Sequence, residues 1–156
     1  MKVLGVCASG DAVHFAIVAD DKLIDREPKR YVVPRAVIGG EQLQAMYRGI
    51  KGSVGNAGPD FLALFIPVYP PKFHPSYQQA RERARLETLV ELAAAESGIR
   101  THLVSSRQAR NQLQMETRGS IPDAAAKALG LKERPDYWAA GRGEAAAAAI
   151  AFVRDE

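Results

Sequence analysis

The stretch from Lys2 to Leu23 constrains this chain more than any other. Val3 to Ala8 is a short apolar run closed by Ser9-Gly10-Asp11, and Ala12 to Ala19 is a second one closed by Asp20-Asp21-Lys22. Glycine supplies the backbone freedom, and aspartate the local hydrogen bonds, that tight turns need. The stretch therefore predicts a β-hairpin. In its second strand Val13, Phe15 and Ile17 alternate with His14, Ala16 and Val18. Both sets carry apolar side chains, which predicts a sheet covered on both faces. Gly5, inside the first strand, leaves room for another backbone to come close.

The rest of the pattern says what covers that hairpin. A third strand is expected near Arg30 to Val33, where Pro34 interrupts it, completing an antiparallel meander. Glu41 to Ile50 reads as a short helix between Gly39-Gly40 and Gly52. The Gly-rich run from Gly52 to Pro59 reads as a flexible connector, since it lacks the Lys-Ser/Thr pair of a phosphate-cradling loop. Asp60 to Val68 contains the unbroken apolar run Phe61-Leu62-Ala63-Leu64-Phe65-Ile66, the signature of a central strand. Ser76 then caps a long helix to about Ser97, with Leu86, Leu89, Val90 and Ala93 on one stripe. Gly98 stops it, and Arg100 to Ser105 is a further strand. Strand, helix and strand in that order imply a right-handed crossover and parallel pairing. Helical segments follow from Ser106 to about Met115, from Ala124 to Leu129 and from Gly143 to Val153, with Lys132 to Trp138 irregular. The Ala145–Ala149 run in the last of them lets a backbone lie close against a sheet. The expectation is one α/β domain over residues 1–156. Its mixed five-stranded sheet joins a three-strand antiparallel meander to two parallel strands, with helices on both faces.

This order of elements resembles the RNase H-like fold. Four stretches, Val3-Leu4-Gly5-Val6-Cys7, Pro59-Asp60-Phe61-Leu62-Ala63-Leu64-Phe65, Gln79-Ala80-Arg81, and Gly141-Arg142-Gly143-Glu144-Ala145-Ala146-Ala147, carry a closer likeness: within that fold, the chain resembles the RuvC-like Holliday-junction resolvase group. The resemblance implies a nuclease centre of four carboxylates. Matched by position, these fall on Cys7, Phe65, Gly141 and Glu144, and only Glu144 is acidic. Nucleases of that group use two Mg²⁺ ions to generate hydroxide and stabilise the leaving oxygen. Mg²⁺ is hard and takes oxygen ligands. A soft thiol, a phenyl ring and a bare glycine offer none.

The leading expectation is a RuvC-like nucleic-acid-binding protein with a degenerate, inactive nuclease site and no required cofactor. One alternative is an active Mg²⁺- or Mn²⁺-dependent DNA or RNA endonuclease with relocated catalytic carboxylates, Asp11, Glu82 and Glu144, in which Asp11 and Glu144 hold the metal. A second alternative is a protein-interaction or dimerisation module that has lost nucleic acid as well.

Other chemistries are weaker. Cys7 beside His14 suggests a nucleophile only if the two share a face and an acid orients the imidazole. A buried inert thiol is the simpler account. His14, His74 and His102 lack zinc-ligand spacing. Ser105-Ser106 has no neighbouring His or Asp in the manner of a hydrolase.

The net charge of +3 is unevenly spread: residues 26–58 and 72–142 each carry net +4, and the two ends are acidic. Two basic segments flanking neutral strands suit a phosphate-binding rim. Arg81, Arg85, Arg107, Arg110, Arg118 and Arg142 are its candidate residues, with Tyr137 and Trp138 available for stacking on branched or single-stranded DNA. A single cysteine, no membrane-length apolar run and no leader pattern point to a cytoplasmic protein without a membrane partner. The resemblance adds a homodimer, because two strands of a junction are cut symmetrically.

Overall fold

The hairpin folds as its pattern requires. In a computed structural model, which describes residues 1–116 and 118–156, β1 (Lys2–Ser9) and β2 (Ala12–Ala19) pair antiparallel from Lys2↔Ala19 to Ser9↔Ala12. The meander's third member divides in two. β3 (Lys22–Ile24) pairs with the end of β2 and β4 (Arg30–Val32) with its beginning, each leaving the other half of the edge to its neighbour. The sheet therefore has six strands, not five, in the order β3-β2-β1-β5-β6 with β4 also on β2. β5 (Phe61–Ile66) and β6 (Arg100–Ser105) run parallel to β1.

Alternation along the strands sends successive side chains to opposite faces. One face carries Leu4, Val6, Val13, Phe15, Ile17, Leu62 and Leu64, covered by α1 (Gly39–Ala57) and α2 (Tyr77–Glu96). The other carries Val3, Cys7, Ala16, Val18, Ala63 and Phe65, covered by α5 (Gly143–Asp155), α4 (Ile121–Ala128) and α3 (Ser106–Gln112). The helices lie on both faces, as expected.

Two local predictions need correction. The Gly-rich run after Ile50 is not a connector: α1 continues to Ala57 and ends at Gly58, whose φ of +54° closes the helix in the left-handed region. Glycine inside a helix costs up to about 1 kcal/mol relative to alanine. Met46, Ile50, Val54 and Ala57 form a buried stripe against the sheet, and that packing offsets the cost. The helix beginning at Ser106 is shorter than expected and ends at Gln112. The N-terminal cap of α2 falls on Ser76 as expected, and α3 carries the same kind of cap on Ser105, which the sequence reading did not name. Ser76 Oγ accepts from Gln79 N and Gln79 Oε1 accepts from Ser76 N, and Ser105 and Gln108 repeat the exchange.

Gly5 marks the tightest crossing in the molecule. A Cβ there would collide with the carbonyl oxygen of Ala145. Ala145 to Ala149 are all fully buried, so α5 lies directly on β1 with almost no side chain between them. This contact places the first turn of α5 over the end of the first strand.

Candidate functional site

The parallel strands β1, β5 and β6 all end at one edge of the sheet. Cys7 stands one position beyond the last paired residues, Val6↔Leu64, and Phe65 is its neighbour on β5, itself paired with Val104. Over this edge sits Glu144, in the first turn of α5. Gly141 precedes it in a widened helical turn, Trp138–Arg142. The fold thus gathers the four positions Cys7, Phe65, Gly141 and Glu144, although three have no carboxylate.

Each replacement closes the site in its own way. Phe65 is buried in the same apolar cluster as Cys7 and Trp138. Gly141 has φ +149°, a conformation that disfavours any side chain, and a Cβ there would lie 2.5 Å from His14 Cδ2. The His14 ring therefore fills the space an acid at Gly141 would need. His14 pairs with Cys7 across the hairpin on the same face of the sheet. Burial, aided by Arg30, lowers its pKa from 6.5 to about 4, and its Nδ1 is buried without a partner. Burial also pushes the Cys7 thiol up to about 12, against the pull of Arg83. A protonated thiol beside a neutral imidazole with no orienting acid is not an activated nucleophile.

Arg83 and Glu87, both on α2, complete the centre, and sequence reasoning did not place them there. Arg83 Nε donates to Glu87 Oε1 at 3.1 Å, Nη1 donates to Tyr69 Oη at 3.2 Å, and Nη2 points at Cys7 Sγ from 4.0 Å. The available signal was their spacing, four residues apart on one helix face. Glu87 and Glu144 both have raised pKa values. Burial is the leading cause in each, and the Arg83 charge opposes it. Oε2 of Glu144 is buried with no hydrogen-bond partner.

These donors do not fit two divalent cations. Among the matched positions one carboxylate remains, and a fixed positive charge lies beside the thiol. The relocated acids are also dispersed. Asp11 is exposed at the hairpin turn, 3.7 Å from Arg35, and shares a small pocket with Glu82, Arg35 and Arg85. Glu144 borders a different depression, of about 530 Å³, with Arg110, Arg134 and Trp138. Among the described residues no three His, Cys, Asp or Glu side chains converge as a metal-holding group.

The basic candidates divide. Arg81, Arg107 and Arg118 are exposed, and Arg85 and Arg110 are half-buried. Arg142 corrects the sequence reading: it is fully buried and faces no solvent. Its Nε donates to the Phe15 carbonyl at 3.0 Å, and Nη2 lies 2.9 Å from Asp25 Oδ1. Trp138 is likewise buried, its indole N–H donating to the Pro122 carbonyl at 2.8 Å, and so offers no stacking face. Tyr137 is exposed, with Arg30 stacked on its ring at 4.0 Å.

Sequence reasoning missed a second aromatic set. Tyr69, Phe73 and Tyr77 are 40%, 53% and 82% exposed, and the first two stack with ring centroids 5.1 Å apart. Tyr69 and Phe73 line an open groove of about 410 Å³ with Ser9, Pro75, Arg83 and Glu87. The proline-broken segment Tyr69-Pro70-Pro71-Lys72-Phe73, set between a buried strand and a capped helix, was the available signal.

No family model matches the sequence, and no curated protein matches it. Solved structures do match. Thermus thermophilus RuvC in complex with Holliday junction substrate is 18% identical, with a TM-score of 0.75 over 99% of this chain and 93% of that one. Thermus thermophilus RuvC in a further structure gives 17% identity, a TM-score of 0.75 and coverages of 99% and 94%. The yeast mitochondrial Holliday junction resolvase Ydc2 is 12% identical, with a TM-score of 0.62 over 97% of this chain and 77% of that one. The fold is RuvC-like, within the RNase H-like class.

Proposed function

We propose that this chain binds branched or single-stranded nucleic acid through a RuvC-like fold whose nuclease centre is degenerate. One observation carries the reading. The four positions that the fold brings together hold a thiol, a phenyl ring, a glycine locked against His14 and a single carboxylate, with the Arg83 guanidinium set among them. Phosphate contacts depend on Arg and Lys rather than on metal-binding acids, so binding survives the absence of those acids. The groove beside Arg83 carries exposed Tyr69 and Phe73, and the depression beside Glu144 carries Arg110 and Arg134. Stacking faces next to cationic groups suit unpaired bases and their backbone. The Holliday junction bound to one of the similar structures makes a four-way junction the first ligand to try.

A homodimer belongs to the same proposal. Leu92 on α2 and Leu43 on α1 are exposed, and Leu43 borders a shallow depression with Ala84, Thr88, Leu89, Arg81 and Arg85. Among the described residues no helix is long and apolar enough to cross a membrane. A cytoplasmic location is part of the proposal.

The test is a labelled four-way junction, beside duplex and single-stranded controls, incubated with the protein and Mg²⁺ or Mn²⁺. The expected result is binding that weakens steeply with salt and no cleavage. Cleavage abolished by Glu144→Ala and Asp11→Ala overturns the reading in favour of an enzyme with relocated acids. Absence of any salt-sensitive binding leaves a protein-interaction module. Light scattering decides the dimer.

A further inference from the structure

The two edges of the sheet are finished differently. At one edge the outer strand is split into β3 and β4, each of 3 residues. At the other, β6 runs for 6 residues in unbroken register with β5, from Phe61↔Arg100 to Ile66↔Ser105. An open edge offers unpaired N–H and C=O groups to any extended chain, and proteins blunt it with short strands, bulges, lysine or proline. The first edge is blunted by its short strands. β6 is not: past Arg100 it reads Thr101-His102-Leu103-Val104-Ser105, and Leu103 is 56% exposed. Among the described residues no strand pairs with its outer side and no loop backbone bonds to it. Beside this edge lies a groove of about 270 Å³ between α3 and the last turn of α5. His102 lines it, with its ring packed on Phe152 at 4.5 Å and its Nε2 buried without a hydrogen-bond partner. Of the described residues that line the groove, Asp155 and Glu156 are carboxylates and none is Lys or Arg. Arg154, next to Asp155, donates instead to the Gln112 carbonyl at 2.7 Å.

We propose that the free edge of β6 and this groove together bind an extended basic segment of a partner protein, which joins the sheet as a further strand and sets a Lys or Arg side chain against Asp155 and Glu156. The inference goes beyond the proposed function, and the groove shares no lining residue with the two depressions beside the centre at the end of β1. Main-chain pairing supplies affinity whatever the sequence, and a pocket beside alternate residues supplies specificity. Strand side chains alternate between faces. A basic residue entering on the His102 side therefore leaves its neighbours on the Leu103 side, where an apolar one is favoured. The carboxylates select a cationic occupant and repel phosphate. A second copy of this chain fits less well, because the Thr101–Ser105 run it would bring has no Lys or Arg for the groove.

The probe is a random peptide library displayed on phage, selected on the immobilised full chain and counter-selected on Leu103→Lys. Leu103 is exposed, so lysine there blunts the edge without entering the core. Recovered peptides are synthesised, labelled and titrated by fluorescence polarisation against wild type, Leu103→Lys and Asp155→Lys. Lysine suits the last turn of a helix, so Asp155→Lys folds, and circular dichroism checks both variants. The expected peptides alternate apolar and other residues and carry Lys or Arg on one face. Each variant is expected to weaken them about tenfold or more. Hydrogen exchange is expected to slow at the β6 amides when peptide is bound, and N-methylation of alternate peptide amides is expected to abolish binding.

Enriched peptides that lack Lys and Arg overturn the proposal, and so do peptides that Asp155→Lys binds as well as wild type does. A selection that yields no peptide sensitive to Leu103→Lys also overturns it. The N-methylated peptides test strand pairing on the wild-type protein, whatever the variants do, and binding retained by them is fatal to the proposal. Self-association of wild type that Leu103→Lys abolishes in light scattering gives the edge to a second copy and counts against it equally. Junction binding by wild type is scored separately, so its failure sinks the nucleic-acid reading without touching the peptide result.

Discussion

Arg142 and Arg83 each bring a guanidinium to the β1–β2 core and meet opposite surroundings. Arg142 is fully buried, and two of its three partners are backbone carbonyls, those of Phe15 at 3.0 Å and Asp136 at 3.4 Å. The third is Asp25. It ties β2, the segment between β3 and β4, and the loop before α5 into one body. Burial pushes Asp25 up, but Arg142 and Lys29 outweigh it and hold the carboxyl below its ordinary value. Arg83 bonds only to side chains and lines an open groove. A guanidinium seated on main-chain carbonyls belongs to the fold, because no variant can remove its acceptors. One seated on side chains belongs to a site, because both its partners and its role can change by substitution.

The strongest challenge to this contrast is Arg142→Met. It leaves the Phe15 carbonyl buried without its donor, and breaking such a buried polar network costs about 3–5 kcal/mol. Denaturant unfolding measures it. A loss under about 1 kcal/mol would remove the distinction between the two arginines.

Acid titration gives the next largest effect, because His14 lies between Cys7 and the turn that carries Arg142. Its pKa is depressed in the folded state, so its contribution is complete above pH 6.5 and is lost as pH falls from 6.5 toward 4. The full loss is roughly 3 kcal/mol. Glu87 and Glu144, whose pKa values are raised, act in the opposite sense and recover stability on acidification. The difference between wild type and His14→Leu isolates the histidine. Asp25 contributes separately. Its stabilisation is present above 3.8 and fades only below that pH, so it must survive in the His14→Leu curve.

Arg83→Gln comes third, at about 1 kcal/mol, since its pair with Glu87 keeps some solvent. A penalty as large as that of Arg142→Met would make the centre structural. Smallest for stability are Arg81→Gln and Arg107→Gln, both within about 0.5 kcal/mol of wild type in chemical denaturation. Under the proposed function their effect is on junction binding: weaker affinity, and a salt slope reduced by about one unit for each phosphate left without its cation. Unchanged affinity in both would move the nucleic-acid surface elsewhere.

The sequence by itself carried the hairpin, the central strand, the Ser76 cap of α2 and the doubly covered sheet. Each depends on neighbours within a few residues or on a simple period. It also signalled a close backbone crossing, through both Gly5 and the Ala145–Ala149 run, whereas the four positions Cys7, Phe65, Gly141 and Glu144 were implied only by the resemblance to RuvC-like resolvases and not by any local pattern. It did not reveal that Gly52 to Ala57 is helical. A local tally of glycines misses the buried stripe that holds those turns against the sheet. Nor did it separate Arg142 from Arg81 and Arg107, since an arginine reads the same whether it ends in water or on the Phe15 carbonyl. The meeting of Arg83 with Cys7, and the His14 ring in the space beside Gly141, were settled only by tertiary structure. Strand register decides which side chains share a face, and the path of a helix decides which of its residues reach that face. Both are fixed by the packing of the whole domain, not by the residues that meet.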